Sequence, residues 1–135
     1  MTSSDPPMPP HIYKILPSAP GSPIPAALAA SDLDRTDGFI HTSTAAVVPT
    51  TSRLFFHAAP ELWILKLSTA QLARDGARCL WEGPQGCVHV YAADAGLVSL
   101  GAANVLDVMR FVRRGEEAWD EVFGREDARA WLVDA

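Results

Sequence analysis

The stretch Asp37 Gly38 Phe39 Ile40 His41 Thr42 Ser43 Thr44 joins a sharp turn, a short apolar strand and a polar run within eight residues. Glycine reaches the positive φ that a tight reversal needs, Phe39 and Ile40 favour extended backbone, and Ser43 or Thr44 suits the N-cap of a following helix. Side chains alternate along a strand, so His41 shares a face with Phe39 and Ser43, while Ile40 and Thr42 point the other way. An imidazole on such a mixed face is a candidate general base, phosphate donor or ligand-orienting group. The competing expectation is a buried histidine satisfied by backbone.

Working outward, residues 49–59 carry Leu54, Phe55 and Ala58 at one-turn spacing behind Pro49, which predicts a helix that Pro60 ends. Residues 62–67, Leu Trp Ile Leu Lys Leu, read as an inner strand covered on both faces. Ser68 with Gln71 three residues on has capping-box spacing for a short helix to about Asp75, which Gly76 can close. On the other side, eight of the eleven prolines fall between Pro6 and Pro25, which excludes continuous helix or central strand there. Between them residues 11–16 form a strand candidate. Residues 26–30 predict one or two helical turns.

The clearest hairpin is 78–92, where Gly83 Pro84 Gln85 Gly86 separate two apolar runs. A four-residue loop pairs Glu82 with Cys87, Trp81 with Val88, Leu80 with His89 and Cys79 with Val90. Cys79, Trp81, Val88 and Val90 then share an apolar face, and Glu82, His89 and Tyr91 share the opposite one, where they can line a cleft. The same pairing sets Cys79 and Cys87 on opposite faces and argues against a disulfide. Residues 105–112 predict a further strand, and Trp119, Val122, Phe123, Ala128, Trp131 and Leu132 fall on two short amphipathic helices whose tryptophans anchor in the core.

A chain of 135 residues with 48% hydrophobic side chains can bury a core as one domain; the expected division is a disordered proline-rich tail over 1–10 and a single α+β domain over 11–135. The net charge of −5 argues against general nucleic-acid binding, and Arg110, Arg113 and Arg114 form the one basic cluster. Two cysteines do not suggest a secreted disulfide scaffold, and neither a secretory signal nor a membrane-length apolar run of about 20 residues is present, so a soluble cytoplasmic protein is expected. Histidines 11, 41, 57 and 89 lack the spacing of a metal site. No Gly-rich phosphate loop or nucleophile elbow occurs.

Ile12 Tyr13 Lys14 Ile15, Ser31 Asp32 Leu33 Asp34, the 37–44 run, Leu80 Trp81 Glu82 and His89 Val90 Tyr91 occur in an order that resembles the domain of unknown function 952 family across roughly residues 11–112. That family usually carries Asp Gly Phe Ile His Leu Ser Thr and, later, Phe Pro His Leu Tyr Gly. Here Thr42 replaces a leucine, and Cys87, Val88, Val90 and Ala92 depart from the second motif. The family is similar in fold to ADP-ribosyltransferases, which implies a small α+β domain with two packed, mainly antiparallel sheets opening a cleft for NAD. By that resemblance Tyr13 and Lys14 lie on the strand facing nicotinamide, the segment from His41 to Thr44 lies on its neighbour, and Glu82 binds a ribose hydroxyl or stabilises a cationic sugar carbon. A tryptophan that many relatives carry shortly after the first strand is replaced here by the proline-rich loop.

Three readings follow for a small-molecule ligand. The first is a nucleotide-binding cleft, with NAD implied by fold likeness alone and a glycosyl- or ADP-ribosyl-transferase type of activity; His41, His89 and Glu82 are its catalytic candidates, and Tyr13, Lys14, Ser43, Thr44 and Tyr91 its ligand-binding candidates. The second is a ligand sensor or interaction module without catalysis. The third is an enzyme that uses the histidines as acid and base on a carbonyl substrate without NAD. The spacing assigns no metal.

Overall fold

The computed structural model describes residues 5–135. Six strands form a single antiparallel sheet: β1 (His11–Leu16), β2 (Ile40–Ser43), β3 (Glu61–Ser68), β4 (Arg78–Trp81), β5 (Cys87–Tyr91) and β6 (Val105–Val112), in the spatial order β4-β5-β2-β1-β3-β6. The helices are short: α1 (Asp32–Asp37), α2 (Val48–Phe55, entered through a 3-10 turn at Ala45–Val47), α3 (Thr69–Arg74), α4 (Trp119–Phe123) and α5 (Glu126–Trp131). The α+β expectation holds, and the expectation of two packed sheets is corrected. β3 pairs with β1 and β6 along nearly its whole length, and β2 joins β1 to β5, so all strands belong to one ladder; helices and loops cover its faces instead of a second sheet.

Strand alternation divides the core in two. Tyr13, Ile15, Leu62, Ile64 and Phe111 face α2, α4 and α5, where Trp119, Val122 and Phe123 are buried against them. Ile12, Ile40, Leu65, Leu67, Val88 and Val90 face Leu72 of α3 and Leu100. β3 is the inner strand expected, with Leu62, Ile64, Leu65 and Leu67 fully buried, because residues of both parities are apolar. The β4–β5 register is as the turn residues predict, Cys79 with Val90, Leu80 with His89 and Trp81 with Val88, with the Glu82 amide bonding the Cys87 carbonyl, and both cysteines are free.

Three local expectations change. Residues 26–30 form no helix; the Leu28 amide donates to the Leu100 carbonyl and Pro25 accepts from Ala102, so this segment is tied to a neighbouring loop rather than to itself. The helix begins later, where the Ser31 hydroxyl accepts from the Asp34 amide. Thr44 does stand at the cap position before residues 45–47, but its hydroxyl makes no capping bond, and the Ser43 hydroxyl pairs with Thr51 Oγ1 at 3.1 Å. Disorder expected over 1–10 falls partly outside the described residues. Within them, Pro6 accepts from the Trp81 indole, and Pro9 and Pro10 accept from Thr69. Among the described residues no helix is long and apolar enough to cross a membrane.

Candidate functional site

The helices cover only part of the face that carries Tyr13, and β2 and β5 continue that face beyond them. Here His41 and His89 are directly paired across the strands. The His41 amide donates to Asp34 Oδ1 at 3.1 Å and its carbonyl accepts from Lys14 Nζ at 3.0 Å, so both backbone groups point away from β5. The pair is therefore of the non-hydrogen-bonded type, in which facing side chains stand closest. The two imidazole centroids are 5.3 Å apart, and the Phe39 ring stacks on His89 at 4.1 Å while touching His41 and Tyr91.

Each imidazole has its Nδ1 on a carboxylate. His41 Nδ1 lies 2.7 Å from Asp34 Oδ1, and His89 Nδ1 lies 3.0 Å from Glu82 Oε1. A carboxylate at one ring nitrogen fixes ring orientation and leaves the other for exchange. For His41 that second nitrogen is also engaged, by Asp37 Oδ2 at 2.9 Å. For His89, no described residue bonds Nε2. Tyr91 donates to the same Glu82 oxygen at 2.6 Å, and the bonds from Tyr91 and His89 hold the Glu82 carboxyl below the ordinary glutamate range. That bond pushes the Tyr91 phenol up.

Asp34 reaches His41 because β1 and β2 pair at one position only, Tyr13 with Ser43, and the ladder opens next to it. Gly38, at φ 82°, ends α1 in the left-handed conformation and returns the chain into β2, which leaves Asp34 alongside the opening. The carboxylate is 1% exposed and lies 2.7 Å from Lys14 Nζ. Burial pushes its pKa up, but the Lys14 ammonium and the His41 bonds outweigh burial and bring it below the usual aspartate value. Burial pulls Lys14 below an ordinary lysine, with Asp34 opposing. Asp34, Asp37 and Phe39 are not among the site residues expected from sequence, although strand alternation placed Phe39 on the face of His41; the available signal for Asp34 was Ser31 three residues before it, a cap that orients the first turn of α1.

His41, His89, Glu82 and Tyr91 thus come together, with Lys14 behind them through Asp34. Tyr13 and Lys14 are consecutive strand residues and so face opposite ways; Tyr13 is fully buried under the helices, its hydroxyl donating to the Val133 carbonyl at 2.6 Å. Ser43 is buried beside α2. Thr44 lines a separate groove of about 750 Å³ that Trp81, Glu82, Pro84, Val47 and Asp134 also border. Glu82 belongs to both the groove and the histidine cluster, and a Cβ at the adjoining Gly83 would lie 3.9 Å from His89 Cε1. Among the described residues, no group of three or more His, Cys, Asp or Glu side chains is arranged to hold a metal ion.

The fold is similar to that of protein CC0527 from Caulobacter crescentus, a crystal structure that superposes with a TM-score of 0.59 at 22% identity, covering 80% of this chain and 91% of that one. A double mutant of the same protein superposes at 0.58 with 21% identity and the same coverage. At these identities the likeness concerns the fold. No curated protein matches the chain. A family model described as "Protein of unknown function (DUF952)" matches residues 23–108, a span that holds α1, the 37–44 turn and strand, and both histidines, and the chain therefore belongs to the DUF952 family.

Proposed function

We propose that the chain binds a small molecule at the open half of the sheet and transfers protons there, with His89 as the exchanging acid and base, His41, held at both ring nitrogens by Asp34 and Asp37, as the fixed imidazole packed beside it, and Glu82 and Tyr91 as the groups that set His89. One observation carries this reading: two facing imidazoles, each held at Nδ1 by a carboxylate, of which only His89 has its second nitrogen without a described partner. Such an arrangement suits general acid–base chemistry, which contributes about 10²–10⁴-fold in rate when a side chain is positioned on the moving proton. The groove beyond Glu82 lies within the range of about 300–1,000 Å³ common for small-molecule sites.

A second reading keeps the ADP-ribosyltransferase-like cleft, with an NAD- or ADP-ribose-like ligand whose cationic sugar carbon faces Glu82. The Glu82 carboxyl, held below its ordinary range at the edge of the groove, favours it. Thermal-shift titration with NAD, ADP-ribose, nicotinamide and a panel of small carbonyl compounds, together with deuterium wash-in from heavy water, separates the two. The proton-transfer reading expects wash-in to a carbonyl ligand that His89→Gln reduces by about 10²-fold or more and His41→Gln by less. Wash-in that survives His89→Gln, or none across the panel, overturns it. A shift with ADP-ribose and no wash-in supports the second reading.

A further inference from the structure

An ionised carboxylate only accepts hydrogen bonds, so a ring nitrogen that meets one at bonding distance has to carry the hydrogen. His41 meets two, Asp34 Oδ1 at 2.7 Å from Nδ1 and Asp37 Oδ2 at 2.9 Å from Nε2. A neutral imidazole has one N–H and one lone pair, which together serve one carboxylate and repel the other. Both bonds at once therefore belong to the imidazolium. The neighbouring His89 has no such requirement: its Nδ1 meets Glu82 and no described residue bonds its Nε2, so a neutral ring satisfies its contacts.

The two bonds on His41 are not equally secured. Asp34 is 1% exposed, and its carboxylate also takes the His41 amide on Oδ1 and the Lys14 ammonium on Oδ2, so the ring hydrogen on Nδ1 stays in place. The Asp37 side chain is 38% exposed, and its carboxylate bonds, among the described residues, His41 alone. Asp37 is the last residue of α1, and the Gly38 after it has open space around it, since a Cβ there would meet nothing within 4 Å. The next residue, Phe39, stacks on His89 and touches His41 and Tyr91, so the turn carries the ring that packs against the exchanging histidine. The charged and titratable groups facing His41 are Asp34 and Asp37 of α1, Lys14 of β1 at the His41 carbonyl, His89 of β5 with its ring centroid at 5.3 Å, and, behind His89, Glu82 with Tyr91.

We infer that the Asp37–His41 contact is a protonation-dependent latch on the histidine site. With the imidazolium, the 37–39 turn is closed and His41 Nε2 is covered. On deprotonation the proton leaves Nε2 for water while its electron pair stays on the nitrogen; Asp37 is then released, the turn loosens with Phe39, and a second base is bared beside His89. The latch rests on the proton-transfer reading above and names the regulation of that site: His89 works alone in the closed form, and both imidazoles face a ligand in the open one.

The test follows the ring nitrogens of His41 and His89 on the full chain by long-range ¹H–¹⁵N NMR, titrated between about pH 5 and 9. At the low end both His41 nitrogens are expected to carry hydrogen. As pH rises Nε2 alone loses it, and in the same step the Gly38 amide loses severalfold of its pH-corrected exchange protection and the Phe39–His89 ring contact weakens. Asp37→Asn separates a latch from a merely structural contact: the asparagine amide can donate to a bare Nε2, so its turn is expected to stay closed through the titration. A bare Nε2 at the low end, a hydrogen kept there throughout, loss of the hydrogen from Nδ1 instead, a step that leaves Gly38 and Phe39 unchanged, or a turn that opens equally in Asp37→Asn overturns the inference. Because the titration is read on the unaltered protein, a variant that fails to fold does not decide the outcome. Absence of deuterium wash-in with the latch intact overturns proton transfer and keeps the latch; wash-in that depends on His89 with no linked movement of the turn does the reverse.

Discussion

Asp34 shows how much one buried carboxylate can organise. It takes the place of a strand partner for the His41 amide, fixes the His41 ring, and neutralises Lys14, all from a position 1% exposed. Replacing Lys14 by Met leaves that carboxylate buried without its cation, and a loss of about 3–5 kcal/mol in urea unfolding is expected. Replacing both, Lys14→Met with Asp34→Asn, should recover a substantial part of that loss, since neither charge is then stranded. The pH dependence has a definite sign. Asp34 titrates below its ordinary value of 3.8 in the folded protein, so the unfolded chain binds protons first as pH falls. The stabilisation is fully present above that value and disappears as pH drops through the folded pKa; acid unfolding midpoints of the parent and of the double variant check it. Of the site, sequence made His41, His89, Glu82 and Tyr91 legible, because turn chemistry and strand alternation are local. Asp34 was not legible as a partner, since its role depends on where the β1–β2 ladder opens.

At the scale of elements, legibility follows the range of the interaction. The β4–β5 hairpin could be read residue by residue because Gly83 to Gly86 fix its register within a dozen positions. α3 could be read because Ser68 caps it, its hydroxyl accepting from the Gln71 amide at 3.1 Å. Residues 26–30 resisted because their alanine composition favours helix while their bonds go to a loop some 70 residues later in the chain, Leu28 to Leu100 and Ala102 to Pro25. Gly101 makes that docking possible. A Cβ there would stand 2.0 Å from the Ala26 carbonyl oxygen, and backbone cannot move aside as a flexible side chain can. Gly101→Ala is therefore expected to destabilise by about 1–3 kcal/mol and to raise hydrogen exchange at Leu28 and Ala102, with the His41 and His89 signals little changed. Unchanged exchange at both amides would show that the two loops do not depend on this contact.

Across the whole molecule, β1 joins beginning to end. It is flanked by β2 and β3 in the sheet, yet Tyr13 also bonds the segment that follows α5, donating to the Val133 carbonyl and accepting from the Val133 amide at 3.1 Å. Burial raises the phenol above its usual value, so it remains a donor through the neutral range. Tyr13→Phe strands the Val133 groups and is expected to cost about 1–3 kcal/mol, with faster exchange at Val133 and no change in ligand response. A changed ligand response would return Tyr13 to the site. The strand order itself could not be read from sequence: β1 neighbours β3 across a proline-rich segment, α1, β2 and α2, and nothing local in those residues specifies which edges meet.

The His11 amide donates to the Asp134 carbonyl at 2.9 Å. Together with the Tyr13 contacts, this closes residues 11–134 into a near-ring that lacks one covalent join. Cyclic order, more than linear order, then describes residues 11–134: the strand pairings and the half of the core under α2, α4 and α5 would be the same if the break in the backbone fell in an exposed turn such as the one at Gly115, with residues 11 and 134 linked instead, whereas the other half would lose Met8.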